Sequence, residues 1–372
     1  AQDAWAQDWR SRKATNNLAR GPLAVSRRLG NMLAESSAEA ASPGSPDAEQ
    51  VAAPADAQVS DHTVDADAAA PVPPLTHRFQ YSKSWGRALS ATAPILRRNR
   101  GLNCQLVGKN DRIVKAGVFE TSEGEQSVPP PPATERLKVD PLGEGPPDAP
   151  RFEVTEICVA NIDTLSAALA LGDAAALNFA NAYTPGGGYR RGANAQEEDL
   201  CRLLPQLIHS LEACKYPIAP QECLLTRGLL AVRRVDSYEL CQYQGGVNIL
   251  TAAMPNGDAG RPGGPAWRAT VKLRIRAVLD AAKKSGYPNL VLGAWGCGAF
   301  GNPPGLVAAV FREQLASPEF CGAFARIVFA VIDPKGDGNF GPFEREISLI
   351  EKGEEVPDVG RRAEKLPSCS AS

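Results

Sequence analysis

Histidine is scarce in this sequence. Only His62, His77 and His209 occur among 372 residues, too few and too scattered for a histidine-rich metal centre. The nine cysteines contain no Cys-x-x-Cys and no Cys/His pair at zinc spacing. That excludes a zinc ribbon and a disulfide scaffold. It implies reduced thiols in an intracellular protein, in cytoplasm or nucleus, with organelle targeting left open. No apolar run reaches bilayer-spanning length, so no membrane association is expected. Charge of neither sign is in excess, with 40 Lys and Arg against 42 Asp and Glu for a net charge of −2. This balance gives no support to direct nucleic-acid readout. Nothing in the pattern calls for a metal or a cofactor.

Large apolar side chains are also nearly missing from "ESSAEAASPGSPDAEQVAAPADAQVSDHTVDADAAAPVPPL", residues 35–75. Such a segment buries too little surface to offset the entropy lost on ordering. Residues 1–92 are therefore expected to be low-complexity and mostly disordered. Basic stretches flank the segment, as a solvated linker, a targeting remnant or a patch for an anionic partner. Residues 93–150 read as an accessory segment with a Pro-rich linker, "VPPPPATERLKVDPLGEGPPDAP". Residues 151–350 form the folded domain, and 351–372 a flexible tail.

In that domain strands and helices alternate. "FEVTEICVAN" (152–161) alternates like a strand, and "AAALNFA" (174–180) is a short buried run. "LLAVRRV" (229–235), "GVNILTAA" (246–253), "NLVLGAW" (289–295) and "RIVFAVID" (326–333) read as further strands. Residues 268–286 and 304–316 carry helical spacing. The order predicts an α/β fold with a central, largely parallel or mixed sheet and helices on both faces. Ligands of such sheets bind in the loops at the carboxyl ends of strands.

Two glycine-rich loops follow predicted strands. The first holds Gly186, Gly187 and Gly188; the second is "GAWGCGAFGNPP", residues 293–304. Bare backbone lets a ligand approach closely, and successive N–H groups can cradle an anion. Neither is a Walker loop, since no Gly-Lys-Ser/Thr follows. Neither gives the dinucleotide pattern at the first strand-helix turn with its downstream acid. Glu197 and Glu198 then open a helix with an apolar stripe at Leu200, Leu203, Leu204, Leu207, Ile208 and Leu211. Neighbours on a helix point about 100° apart, so only one of the two is expected to aim directly at a bond. Pro205 interrupts this stripe and should split or kink the helix.

The run "NFANAYTPGGGYRRGANAQEEDLCR" resembles the microbial-type catalytic domain of poly(ADP-ribose) glycohydrolases. "VLGAWGCGAFGNPP" is similar to that family's diphosphate-binding loop, and "VANIDTL" and "ILTAAMPN" also fit. The resemblance covers about residues 150–335. It implies a three-layer macrodomain-like fold and a glycosidase with no cofactor and no metal. The implied substrate is poly(ADP-ribose) or an ADP-ribosylated protein, acted on by a monomer. One carboxylate, Glu198, would serve as general acid and then general base. Glu197 and Asn181 would hold ribose hydroxyls. Gly186, Gly187, Gly188, Gln196, Gly296, Cys297, Gly298, Ala299, Phe300 and Gly301 would line the ligand.

Other positions leave two readings open. Asp163 either accepts from an adenine amino group or is a strand-end turn residue. Phe300 packs on the distal ribose or plugs the core. Tyr189 covers the ligand or lies on the surface, and Phe340 stacks on adenine or does not. Cys297 reads as structural, because no histidine is near it in sequence. The competing functions are a macrodomain-type reader of ADP-ribose that no longer catalyses and a hydrolase of another ADP-ribosyl bond.

Overall fold

The computed structural model describes residues 77–94, 100–141, 149–257, 259–336 and 338–352. The low-complexity stretch at 35–75 and residues 353–372 of the tail lie outside them. In chain order the elements are β1 (Arg78–Tyr81), α1 (Lys83–Ser90), α2 (Arg100–Ala116), β2 (Val118–Thr121), β3 (Gly124–Ser127), β4 (Thr134–Lys138) and β5 (Val154–Ala160). Next come α3 (Thr164–Leu171), β6 (Ala174–Phe179), α4 (Gln196–Leu203), α5 (Pro205–Glu212), β7 (Glu222–Leu230) and β8 (Gly246–Ala252). The last are α6 (Pro265–Lys284), β9 (Asn289–Gly293), α7 (Pro304–Leu315), β10 (Arg326–Ala330) and α8 (Phe340–Ser348).

Eight strands form one mixed sheet in the order β1-β5-β10-β9-β6-β8-β7-β4. The six from β1 to β8 run parallel, while β7 and β4 each run antiparallel to the preceding strand in that order. Burial follows this layout. β6 and β9 are buried along almost their whole length, as strands covered on both faces must be. One face packs alternate strand residues (Ile157, Leu177, Leu250, Leu292, Phe329) against α6, α7 and α8. The other face carries α1, α3, α4 and α5. The result is the three-layer macrodomain-like α/β fold that was expected.

Two features depart from the sequence reading. The strand expected at 229–235 lies earlier, at Glu222–Leu230, because Leu224–Thr226 form the fully buried run that pairs with β8. Past Leu230 only an isolated bridge between Arg233 and Leu240 remains. The folded unit also reaches back to residue 77, inside the span expected to be low-complexity. β1 pairs in register with β5, from Arg78 opposite Val154 to Tyr81 opposite Ile157. Four residues with two polar side chains give too weak an alternation to announce a strand. The segment between 100 and 141 adds α2, which packs on α4 and α5, and the edge strand β4.

Candidate functional site

β6 and β9 are neighbours in the sheet, so their two following loops, the glycine-rich ones, lie side by side at one crevice. The ends of β5 and β10 join the same edge, bringing Asp163 and Asp333 there. This is where a parallel sheet presents ligands.

The first loop is built around the two glutamates. Glu198 is the third residue of α4. One of its carboxylate oxygens accepts from the Ala195 N–H at 3.1 Å, the reaching-back half of a capping box. The other accepts from the Gly188 N–H at 2.7 Å. Glu197 accepts from the Asn181 N–H at 2.8 Å and from the Asn178 amide at 3.5 Å. The Gly187 N–H, by contrast, closes a local turn on the Thr184 carbonyl. The triglycine turn therefore wraps the carboxylates. Its N–H groups were expected to cradle a diphosphate, and here the anion they serve is the pair of side chains.

Gly187 shows why the backbone is bare. It sits at φ +56°, and a Cβ there would lie 2.7 Å from a Glu198 oxygen and 2.8 Å from a Glu197 oxygen. No side chain fits both that conformation and that contact. The same figures show that the two carboxylates converge on one point, although consecutive helix residues start out diverging. Glu197 is 3% exposed and Glu198 7%, so both lie on the floor of the crevice. Burial, reinforced by the neighbouring Glu198 charge, pushes the Glu197 carboxyl up to about 8. Burial thus favours its neutral form.

Pro205 leaves this arrangement intact. It starts α5 at the first helical position, where its missing N–H costs nothing. The α4 helix ends at Leu203. Asp199 accepts from the Tyr238 hydroxyl at 2.6 Å and pairs with Arg202, which holds α4 from its far side.

The second loop faces outward. Its base is fixed by Asn302, whose amide donates to the Pro255 and Gly296 carbonyls while its oxygen accepts from the Trp267 indole at 2.7 Å. Gly296 is pressed against Met254, at φ +74° with a hypothetical Cβ 2.6 Å from the Met254 Cβ. Above this base the loop is open. Gly298, Ala299 and Gly301 are exposed, and nothing lies within 4 Å of a Cβ built on Gly298 or Gly301. Among the described residues the N–H groups of Gly298, Ala299 and Phe300 donate to no backbone carbonyl. Phe300 and Cys297 pack against the core as partly buried groups. Burial pushes the Cys297 thiol up to about 12, so it is no nucleophile.

The remaining expected residues divide. Asp163 caps α3 through Ser166 N–H at 2.8 Å, and its second oxygen is buried without a partner. Burial raises its carboxyl. The Asn181 oxygen accepts from the Tyr183 and Thr184 N–H groups, which sets the turn into the glycines. Gln196, expected to touch ligand, clips the end of β6. Its oxygen accepts from Phe179 N–H, and its amide donates to the Leu177 carbonyl and the Thr164 hydroxyl. Tyr189 neither covers a ligand nor lies on the surface. It is fully buried, with its hydroxyl 3.3 Å from the Asn110 amide. Phe340 heads α8 and packs on the core.

Four further residues shape the site and drew no attention in the sequence. Asn302 anchors the second loop. Asn110 on α2 ties the Arg202 carbonyl at 2.9 Å to the first. Asp333 gathers the N–H groups of Gly336, Gly338 and Phe340, and Asn161 bonds the Asp333 backbone in both directions. The Asn302 signal was available as the polar residue closing a glycine loop; the others rest on contacts distant in sequence. A groove of about 520 Å³ between α2 and residues 237–240 includes neither carboxylate and neither glycine loop.

Comparison with known proteins bears on this crevice. The family model described as "Microbial-type PARG, catalytic domain" matches residues 113–221, a span that holds the first glycine loop and both glutamates. The crystal structure of poly(ADP-ribose) glycohydrolase from Thermomonospora curvata is similar at 30% identity and TM-score 0.55. The alignment covers 66% of this chain and 99% of that one. The same enzyme bound to the inhibitor ADP-HPD gives 31%, 0.56 and the same coverage. Poly(ADP-ribose) glycohydrolase from Deinococcus radiodurans in complex with ADP-ribose gives 37% identity and TM-score 0.49, over 54% of this chain and 87% of that one. Among curated proteins no match is found.

Proposed function

We propose that this chain, which belongs to the poly(ADP-ribose) glycohydrolase family and is a glycosidase, hydrolyses the ribose–ribose O-glycosidic bond of poly(ADP-ribose) with Glu198 as general acid and base. The observation that carries the assignment is the convergence of both carboxylates at Gly187, on the floor between two glycine loops.

Cleavage of that bond passes through an oxocarbenium-like state and needs a proton on the leaving oxygen and an activated water. With substrate closed over the crevice and water excluded, Glu198 takes up a proton and gives it to the departing ribose oxygen. It then takes one from the water that attacks the anomeric carbon. The Gly188 and Ala195 N–H groups fix its two oxygens, so it meets the bond in one orientation. Glu197, in the neutral form that burial favours, donates a hydrogen bond to a ribose hydroxyl beside the anomeric centre. It leaves the pair with one negative charge, facing the developing cation. The pyrophosphate lies on the open crest of the second loop, where Gly298, Ala299 and Phe300 have N–H groups to offer. The unpartnered Asp163 oxygen accepts from the adenine amino group. Each of these polar atoms lacks a protein partner or faces the crevice, which is what a bound ligand requires.

Glu198→Gln tests the assignment. Release of ADP-ribose from polymer should fall at least about a thousandfold, while ADP-ribose affinity stays within about tenfold. Equal release by both proteins would remove Glu198 from the mechanism.

A further inference from the structure

The groove between α2 and residues 237–240 holds no residue of the glycine-loop crevice. One of its walls is a face of α2, where Leu102, Leu106, Ile113 and Ala116 recur at helical spacing. Phe119 and Leu240 extend the apolar lining. Ile113 and Phe119 also belong to a small core cluster with Val128 and Val232, against which Leu240 packs. The space measures about 520 Å³, a size usual for small-molecule sites.

One charge in this lining has no counter-ion. Arg233 is 4% exposed. Its Nε donates to the Asn110 amide oxygen at 2.9 Å, and its Nη1 to the Tyr238 carbonyl at 2.7 Å. Nη2 is buried with no hydrogen-bond partner. Burial pushes the guanidinium down to about 10, so near neutral pH it keeps its charge. A buried cation held only by neutral oxygens is costly, and an anion beside it offsets that cost. Lys109 and Arg112 are exposed on the same lining, and neither has an ion-pair partner among the described residues. The acid there is Glu239. The lining thus sets three cations against one carboxylate.

We propose that the groove binds a small amphipathic carboxylate, an acyl or aryl body whose single carboxyl group accepts from Arg233. The body lies along the α2 stripe against Phe119 and Leu240, which removes apolar surface from water on both partners. The carboxylate becomes the missing partner of Nη2, through a small side-chain adjustment of the kind common on binding. One free donor suits one charge. A phosphate dianion would bring a second charge into an apolar lining that has nothing inside to neutralise it. Lys109 and Arg112 steer the anion inward from the surface. This ligand differs from ADP-ribose in chemistry and in place, so the two should bind together.

The test titrates the folded chain with octanoate and with its neutral analogue octanamide by calorimetry. Octanoate should bind about tenfold tighter, through its charge-assisted hydrogen bond. Arg233→Met should bring octanoate down to the octanamide level and leave octanamide within about twofold. The double variant Lys109→Glu/Arg112→Glu, confined to exposed positions, should weaken octanoate about threefold and leave octanamide unchanged. It carries the charge test alone if melting curves show Arg233→Met unfolded. Leu240→Gln should weaken both ligands about fivefold. Saturating ADP-ribose should leave octanoate affinity unchanged. Equal binding of octanoate and octanamide, binding of neither, or octanoate affinity unchanged in folded Arg233→Met or in the double variant would overturn the proposal. Unchanged binding by Leu240→Gln would place the ligand elsewhere and overturn it too. So would displacement of octanoate by an equal concentration of inorganic phosphate, or by ADP-ribose.

Discussion

The two glycine loops have similar composition and opposite orientation. The first turns its N–H groups inward, so that Gly188 and the residues flanking the turn hold the Glu197 and Glu198 carboxylates. The second is clamped at its base by Asn302 and leaves its crest open. One loop supplies an anion that belongs to the protein; the other awaits one that does not. Glycine content alone marks both as places of close backbone approach. What approaches is decided by the helix that follows. The α4 helix brings its acidic first turn back under its own loop, whereas α7 begins at Pro304 with no acid in its first turn.

Substitutions can sharpen this contrast. The largest stability effect is expected at Glu197. Its carboxyl ionises near 4.5 in the unfolded chain and is pushed up to about 8 in the fold. Between those values the unfolded state releases a proton that the folded state keeps, so stability falls as pH rises through that window. Glu197→Gln removes the titration. It should be more stable than wild type by up to about 4 kcal/mol at pH 8, with the difference vanishing toward pH 4.5 in denaturant melts. No pH dependence of that difference would mean the first loop does not hold a buried proton. A smaller effect is expected at Asp163. Asp163→Ala should cost about 1 kcal/mol through loss of the α3 cap, and about tenfold in ADP-ribose affinity. Asp163→Asn should recover the stability and not the affinity; recovery of both would make the residue a cap alone. The smallest is Pro205→Ala, expected to shift stability by about 1 kcal/mol or less and leave turnover unchanged, since α4 already ends before it.

Much of this was readable from the chain. The buried runs of β6 and β9, the loops after them and the acidic start of α4 are local patterns, and local patterns survive folding. So was the break at Pro205, which follows from its missing donor. The direction of the triglycine N–H groups was not, because it depends on where α4 docks. Tyr189 was misplaced for the same reason: it follows the glycines in sequence but is taken up by Asn110 on α2, and the grip of Gln196 on the end of β6 was no more visible. The short strand β1 escaped notice because its four residues are ordered by pairing with β5 rather than by their own pattern.

The central claim is a division of labour, and one paired measurement addresses it. Gly187→Ala and Ala299→Asp would each be assayed for ADP-ribose affinity and for turnover of saturating polymer. At Gly187 a methyl group displaces both carboxylates, so turnover should fall about a hundredfold with affinity within about tenfold. At the exposed Ala299 a carboxylate repels the pyrophosphate, so affinity should fall about tenfold or more while turnover at saturation is largely kept. The reverse pattern, with Gly187→Ala losing affinity and Ala299→Asp losing neither, would contradict the account.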